Sequence, residues 1–229
     1  MKYSKSRKLR HGRSVKLFFL VLFLFILSGC FGSGIKKEET AKELFMEGLQ
    51  KFWAENYRMA IESFEKLIDW YPFSKFVIEA ELKTADSYYN LGQIEEAIFA
   101  YKEFEKLHPA NTEIPYVLYR IGKLYFMQLD EIDRDQTPAY NAIFYLRRLI
   151  SNYPQSEYTK EAKVITTKCY KSITEHELYV GEFYYKIKNY QAALKRFMKI
   201  LSDYPDVGTH HKVTKYISLC NSMLQKEKK

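Results

Sequence analysis

Apolar residues recur at three- and four-residue intervals from residue 41 onward, the spacing that places side chains on one face of an α-helix. The first such segment runs from Ala41 to Ala54. Its apolar face consists of Leu44, Phe45, Gly48, Leu49 and Phe52. Similar segments are predicted at residues 57–70, 74–91, 94–107, 112–127, 157–172, 175–188, 190–204 and 210–224, with one more before Pro154. The pattern therefore predicts an all-α chain of about ten helices.

A fixed frame of residues repeats along these segments. Ala193 is followed four positions later by Phe197 and twelve positions later by Pro205. The same frame occurs three more times, as Ala60, Phe64 and Pro72, as Ala97, Tyr101 and Pro109, and as Ala142, Leu146 and Pro154. In three of these units a second small residue stands twelve positions before the alanine: Gly48, Ala85 and Gly181.

The frame has a physical meaning. Two helices cross closely only where their side chains are small, the large residue fills the space beyond the crossing, and proline marks where the second helix has ended. This is the pattern of tetratricopeptide repeats. It predicts an α-solenoid of five helical hairpins, each burying its apolar face on the next. We expect N-terminal repeats at residues 41–154 and C-terminal repeats at residues 155–229.

The frame is stretched at two places. Gly122 to Ala142 spans twenty residues instead of twelve, so a polar loop is predicted at residues 128–138. The carboxylates of this loop lack the glycine and the distal glutamate of an EF-hand, which favours a solvated loop over a calcium site. The last two prolines of the frame are 51 residues apart and the first two are 37 apart. The excess predicts an additional helix, with a break between Ser172 and Glu175.

Residues 1–29 are predicted to be a lipoprotein signal peptide. A basic stretch precedes eleven apolar residues, Leu17 to Leu27, which make only about 16 Å of helix and are too short to span a bilayer. The ending Leu-Ser-Gly-Cys30 resembles the bacterial lipobox, which makes Cys30 the predicted lipid attachment site and residues 30–40 a tether. Phe31 in place of aspartate implies, by the same resemblance, lipid anchoring at the periplasmic face of the outer membrane. Plain secretory cleavage is the alternative.

The net charge of the chain and the motifs that it lacks argue against several classes of function. Seven basic residues lie in the signal peptide, and the rest of the chain has 29 basic and 28 acidic residues, so no nucleic-acid partner is predicted. The sequence contains no nucleophile elbow, zinc-protease helix, P-loop or glycine-rich dinucleotide turn. We therefore predict a non-enzymatic protein with no cofactor and no metal. For Cys169 and Cys220, a role as core residues is favoured over a disulfide, which an oxidising periplasm would permit.

The first helix of each hairpin supplies the inner wall of such a solenoid. Positions counted from the small residues of the frame predict nine peptide-binding wall residues: Phe45, Leu49, Phe52, Leu82, Asp86, Tyr89, Tyr119, Lys123 and Phe126. A wall of rings with a few charges suits an extended or helical peptide. The alternative is that some of these rings belong to the core.

Further motifs occur in a characteristic order: Tyr71-Pro-Phe-Ser74, Ala85-Asp-Ser-Tyr-Tyr89, Leu107-His-Pro109, Tyr116-Val-Leu-Tyr-Arg-Ile-Gly122-Lys-Leu-Tyr-Phe126, Asp133-Arg-Asp-Gln-Thr-Pro138, Tyr153-Pro-Gln-Ser-Glu-Tyr158 and His176-Glu-Leu-Tyr-Val180. In this order they resemble the BamD family of outer-membrane assembly lipoproteins over essentially the whole mature chain. The Asp133–Pro138 insert is far more specific than the repeat frame. Lys51, where the repeat prefers tyrosine, is a departure.

The resemblance implies a subunit of the machinery that folds β-barrels into the outer membrane. Members of this family bind the POTRA region of the barrel subunit BamA through their C-terminal half, beside other BAM lipoproteins. Their N-terminal repeats are thought to receive the aromatic-ended terminal strands of unfolded outer-membrane proteins. The implied client contacts are Phe45, Phe52, Tyr89 and Tyr119, and the implied BamA contact is Arg196. The alternatives are another tetratricopeptide envelope adaptor, such as a pilotin or a cell-wall coordination factor, and a cell-wall hydrolase.

Overall fold

The computed structural model describes residues 39–227. This part of the chain contains nine α-helices and no β-strand, which confirms the all-α tetratricopeptide fold. The helices are α1 (Ala41–Trp53), α2 (Tyr57–Trp70), α3 (Val77–Asn90), α4 (Ile94–Leu107), α5 (Ile114–Met127), α6 (Thr137–Asn152), α7 (Thr159–Lys186), α8 (Tyr190–Asp203) and α9 (His210–Glu227). Within residues 39–227, no helix is both long enough and apolar enough to cross a membrane.

Each helix packs against the next one along the chain, and α1 also contacts α3 just as α5 contacts α7. Contacts limited to the same hairpin and the next one are typical of a helical solenoid. Three groups of buried side chains form the core. The first joins α1, α2 and the start of α3, the second extends from α3 to the middle of α7, and the third joins the end of α7 to α8 and α9.

The small residues of the frame lie where two helices cross. A Cβ atom added to Gly181 would lie 2.8 Å from Cδ1 and 2.9 Å from Cζ of Phe197, and Gly122 meets the side chain of Leu146 in the same way. The Phe197 ring is completely buried. The helices approach so closely that only hydrogen fits at position 181, which explains the spacing found in the sequence.

The two helices of a hairpin are joined by the same turn in three places. Glu55, Gly92 and Lys188 all have a positive φ, of 60°, 71° and 62° respectively. Each lies seven residues after the small residue of its repeat. A left-handed residue reverses the chain direction after a helix, and glycine adopts it without steric cost. Two of the three turns therefore hold a residue less suited to this conformation than glycine.

The predicted break between Ser172 and Glu175 is wrong, because α7 is one continuous helix of 28 residues. Ile173 and Thr174 are completely buried, and Thr174 Oγ1 donates a 3.0 Å hydrogen bond to the backbone oxygen of Lys171 within the helix. No glycine or proline lies between residues 155 and 180. The additional residues therefore lengthen one helix, and the described part of the chain has nine helices, not ten.

The inserted segment between α5 and α6 packs onto the middle of this long helix. Gln136 is 5% exposed, and its Oε1 accepts a 2.7 Å hydrogen bond from Ser172 Oγ. His176 Nδ1 lies 2.5 Å from the backbone oxygen of Ile132. The loop is thus fixed by side chains of α7, while its carboxylates stay at the surface.

Cys169 and Cys220 are both buried and free. Cys169 belongs to the core group that reaches the middle of α7, and Cys220 belongs to the group formed with α8 and α9. Burial raises the pKa of the Cys169 thiol to about 12. Both cysteines therefore pack as small apolar residues.

Candidate functional site

The structure divides the nine predicted wall residues into two sets. Five of them are at most 8% exposed: Phe45, Phe52, Leu82, Asp86 and Tyr119. These five are part of the packed interior, so the expectation that they line an open wall is corrected. The other four are partly exposed: Leu49, Tyr89, Lys123 and Phe126. The peptide-binding role of all nine stays a prediction.

Asp86 is the centre of a buried hydrogen-bond network on α3. Its Oδ1 accepts hydrogen bonds from the hydroxyls of Tyr101 and Tyr116, each at 2.7 Å. Its Oδ2 accepts a 2.9 Å bond from Lys83 Nζ. Burial, followed by the charge of Asp86, raises the pKa of both tyrosines. Both hydroxyls therefore stay protonated, and the network ties α3 to α4 and α5.

Arg120 extends this network to the surface. Its Nε donates a 2.8 Å hydrogen bond to the Tyr116 hydroxyl. Its guanidinium carbon lies 4.1 Å from the ring centre of Tyr89 and 4.9 Å from that of Tyr116. Burial opposes the charge on Arg120, but the neighbouring tyrosines outweigh it and raise the pKa of the guanidinium. A permanent cation therefore lies within 4.9 Å of both ring centres.

Basic residues cover rings elsewhere along the first helices of the hairpins. Lys83 Nζ lies 5.0 Å from the ring centre of Phe52, and Lys168 Nζ lies 5.8 Å from that of Phe126. Lys123 Nζ donates to the Tyr119 hydroxyl at 2.9 Å and lies 3.4 Å from a carboxylate oxygen of Glu161. Aromatic rings and basic side chains thus form one surface along α1, α3, α5 and the first half of α7, and we call it the A-helix surface.

A second charged surface lies on α8. Arg196 Nη1 donates a 2.9 Å hydrogen bond to Glu177 Oε2, and Lys199 Nζ donates a 2.6 Å bond to Oε1 of the same carboxylate. Burial alone would raise the pKa of Glu177, but the hydrogen bonds from the two cations lower it. The side chain of Glu177 is 4% exposed, while those of Arg196 and Lys199 are 40% and 38% exposed.

These cations line an open groove of about 700 Å³. Its walls are formed by Tyr184, Ala192, Lys195, Arg196, Met198, Lys199, Ser202 and Asp203. Met198, one of these lining residues, is 55% exposed. The groove thus combines an excess of positive charge with apolar side chains at the surface.

Between residues 39 and 227, no three histidine, cysteine, aspartate or glutamate side chains are grouped so that they could hold a metal ion. The buried carboxylate of Asp86 accepts three hydrogen bonds, and that of Glu177 accepts two. The two charged surfaces suit the binding of polypeptides. Cys30 and the predicted signal peptide lie outside the described residues.

Sequence reasoning missed Arg120 and Glu177 as members of these surfaces. A signal for Arg120 exists, because it stands two residues before the small residue of its repeat, as Lys83 does in the preceding repeat. Lys83 and Arg120 each lie over an aromatic ring of the preceding repeat. Glu177 carries no such signal, because its partners lie about twenty residues away on another helix.

Comparison with known proteins gives four findings. The chain is 27% identical over 207 residues to "Outer membrane protein assembly factor BamD" of Rickettsia prowazekii, covering 90% of this chain and 82% of that protein. It is 25% identical to the protein of the same name from Vibrio cholerae, covering 84% of each. Among solved structures, "TPR2AB-domain:pHSP90-complex of yeast Sti1" matches 81% of this chain and 71% of its own at 15% identity, with a TM-score of 0.48. Residues 37–229 match the family described as "YfiO: Outer membrane lipoprotein". The two similar proteins named above are both BamD proteins. The chain belongs to the YfiO family of outer-membrane lipoproteins.

Proposed function

We propose that this protein is a non-enzymatic scaffold of the outer-membrane β-barrel assembly machinery. The observation that carries the proposal is the similarity to assembly factors named BamD, which extends over more than four-fifths of two of those proteins. The tetratricopeptide fold supports it, because stacked hairpins offer extended surfaces for other polypeptides. Anchoring through Cys30 at the periplasmic face of the outer membrane is part of the proposal.

The α8 groove is the proposed contact for the POTRA region of BamA. Arg196 and Lys199 share a single buried carboxylate, so one positive charge remains uncompensated between them. Lys195 adds another cation to the same groove, and Asp203 adds an acid. A partner surface with carboxylates beside apolar side chains would complement this groove. Other BAM lipoproteins are proposed partners of the same assembly.

The A-helix surface is the proposed site for unfolded outer-membrane proteins. Tyr89 and Phe126 present partly exposed rings, and Arg120 and Lys123 lie beside them as cations. A terminal strand that alternates apolar and polar residues could place its apolar side chains on the rings. Leu49 extends the apolar part of this surface onto α1.

Co-purification tests the proposal. The tagged full chain is extracted from membranes in mild detergent, and its partners are identified by mass spectrometry. We expect a β-barrel protein with POTRA domains, in amounts that fall at least several-fold for Arg196→Ala. The matched control Lys163→Ala removes an exposed cation from α7 and should leave recovery unchanged. Recovery of a secretin or of peptidoglycan enzymes in place of the barrel would contradict the proposal and favour another envelope adaptor.

A further inference from the structure

Arg120 differs from Lys83 and Lys123 of the A-helix surface, because no carboxylate among the described residues bonds to it directly. Lys83 is bonded to Asp86, and Lys123 lies near Glu161. The Nε of Arg120 is used by Tyr116, but no hydrogen bond or ion pair from the described residues reaches either Nη atom. Two N–H-bearing nitrogens of a partly exposed guanidinium therefore remain available for a ligand.

The guanidinium is held in place before any ligand binds. Tyr116 orients it through the 2.8 Å bond to Nε, and the Tyr116 hydroxyl is itself fixed by the 2.7 Å bond that it donates to Asp86. Asp86 is only 5% exposed and is also bonded to Tyr101. A side chain that is already ordered loses less conformational entropy on binding than a free one.

The chemistry of this arrangement favours a planar anion. The two Nη atoms of a guanidinium can donate to both oxygens of a carboxylate at once. Tyr89 lies beneath the guanidinium at 4.1 Å, and the ring of Tyr158 lies 5.6 Å from that of Tyr116. A carboxylate bound to Arg120 would thus have aromatic surface beside it for the side chain of the same residue.

We propose that Arg120 binds the terminal carboxylate of a polypeptide whose last residue is apolar or aromatic. The inference rests on the proposed function and identifies the part of the client strand that is recognised. A terminal residue carries its carboxylate directly on the backbone, so the carboxylate reaches Arg120 while the side chain packs on Tyr89 or Tyr158. Asp86 and Tyr116 act as positioning residues, because they hold Arg120 and do not touch the ligand.

The test compares three fluorescent strand peptides of the same sequence ending in phenylalanine. One has a free terminal carboxylate, one has a terminal amide, and one has the amide together with a glutamate at the penultimate position. Fluorescence anisotropy with the full chain in detergent gives the Kd of each. A charge-assisted bidentate contact predicts that the free acid binds roughly tenfold more tightly than the amide. The glutamate peptide should bind like the amide.

Variants assign the preference to Arg120. Arg120→Gln should abolish the difference in Kd between the acid and the amide peptides. Tyr116→Phe keeps the ring but removes the orienting hydroxyl, and should reduce the preference about threefold without abolishing it. The control Arg148→Gln alters a ring-stacked arginine on α6 that is paired with Glu105, and should keep the full preference. Circular dichroism of each variant establishes that the fold is retained.

The outcomes separate this inference from the function on which it rests. Equal binding of acid and amide by the unaltered protein, or a preference that survives in Arg120→Gln, would overturn the carboxylate site and leave client binding intact. Tight binding of the glutamate peptide would overturn the assignment to a chain terminus. Binding of none of the three peptides would contradict the client-binding function as well.

Discussion

Replacing Gly181 by alanine sets two physical effects against each other. At an ordinary helical position this change stabilises a protein by about 1 kcal/mol, because alanine is the better helix former. In this structure the new Cβ would lie 2.8 Å from Cδ1 of Phe197 and closer still to Cε1. The ring cannot move aside easily, because it is fully buried and stacked on Tyr216 with ring centres 5.0 Å apart.

The overlap should outweigh the gain in helix propensity. Overpacking of a close-packed core costs about 1–3 kcal/mol, and the rigid ring places this site at the upper end of that range. We therefore expect Gly181→Ala to lower the free energy of unfolding by about 2 kcal/mol. In urea, with a slope of about 2 kcal/mol per molar, the midpoint should fall by about 1 M.

Urea titration followed by circular dichroism measures this change, and two further variants test its cause. Thr167→Ala alters an exposed position of the same helix α7 and should leave the midpoint nearly unchanged. Phe197→Val removes the ring carbons that the new Cβ would meet, so adding Gly181→Ala to that variant should cost nothing further. A raised midpoint for Gly181→Ala alone would refute the close-crossing explanation of the frame.

Three other expectations follow from the turns, the buried carboxylate and the cysteines. Lys188→Gly should raise the free energy of unfolding by up to about 1 kcal/mol, because glycine adopts the left-handed turn without strain, while Gly92→Ala should lower it by a similar amount. A lower urea midpoint for Lys188→Gly, or a higher one for Gly92→Ala, would contradict the turn geometry. The pKa of Glu177 is lower in the folded protein than its unfolded-state value of about 4.3. The ionised carboxylate therefore stabilises the fold above the unfolded-state pKa, and this stabilisation is lost as the pH falls through the folded-state pKa. At pH values below 5, the urea midpoint of the unaltered protein should therefore decrease with falling pH, and that of Glu177→Gln should decrease less steeply. The same dependence of the midpoint on pH in both proteins would contradict the role of the Glu177 ion pairs. Cys169 and Cys220 are buried, and burial raises the pKa of both thiols. A thiol reagent at pH 8 should therefore modify them only as fast as the surrounding helices open. Labelling within the mixing time would show that these helices are loosely packed.

Much of the fold could be predicted because the ends of four helices have a local cause. The prolines at 72, 109, 154 and 205 each follow the end of a second helix within two residues, since proline cannot continue a helix. The small residues fixed the pairing of helices, because Gly181 tolerates only hydrogen beside Phe197. The break predicted near Ser172 had no such local cause. It came from a length difference alone, and one longer helix accounts for that difference equally well.

The candidate site could be predicted less completely, because burial depends on residues that are distant in the sequence. Asp86 occupies a wall position by counting, yet Tyr101 and Tyr116 from two other helices enclose it. Phe52 and Tyr119 likewise pack into the interior. The period of a single helix shows which residues share a face, but it does not show how far the neighbouring helices cover that face. The repeat frame marks the position of Arg120, but its contact with Tyr89 depends on how α5 lies relative to α3.

Site-specific photocrosslinking during barrel assembly tests most directly whether the A-helix surface holds client polypeptides. A photoreactive amino acid is placed at Tyr89 on this surface or, as a matched control, at Phe99 on α4, which is 68% exposed. A tagged outer-membrane protein is synthesised in the same cells, and adducts are detected through its tag. We predict adducts between position 89 and the terminal strand of the client and none at position 99. Adducts at position 99 without any at position 89 would contradict the account.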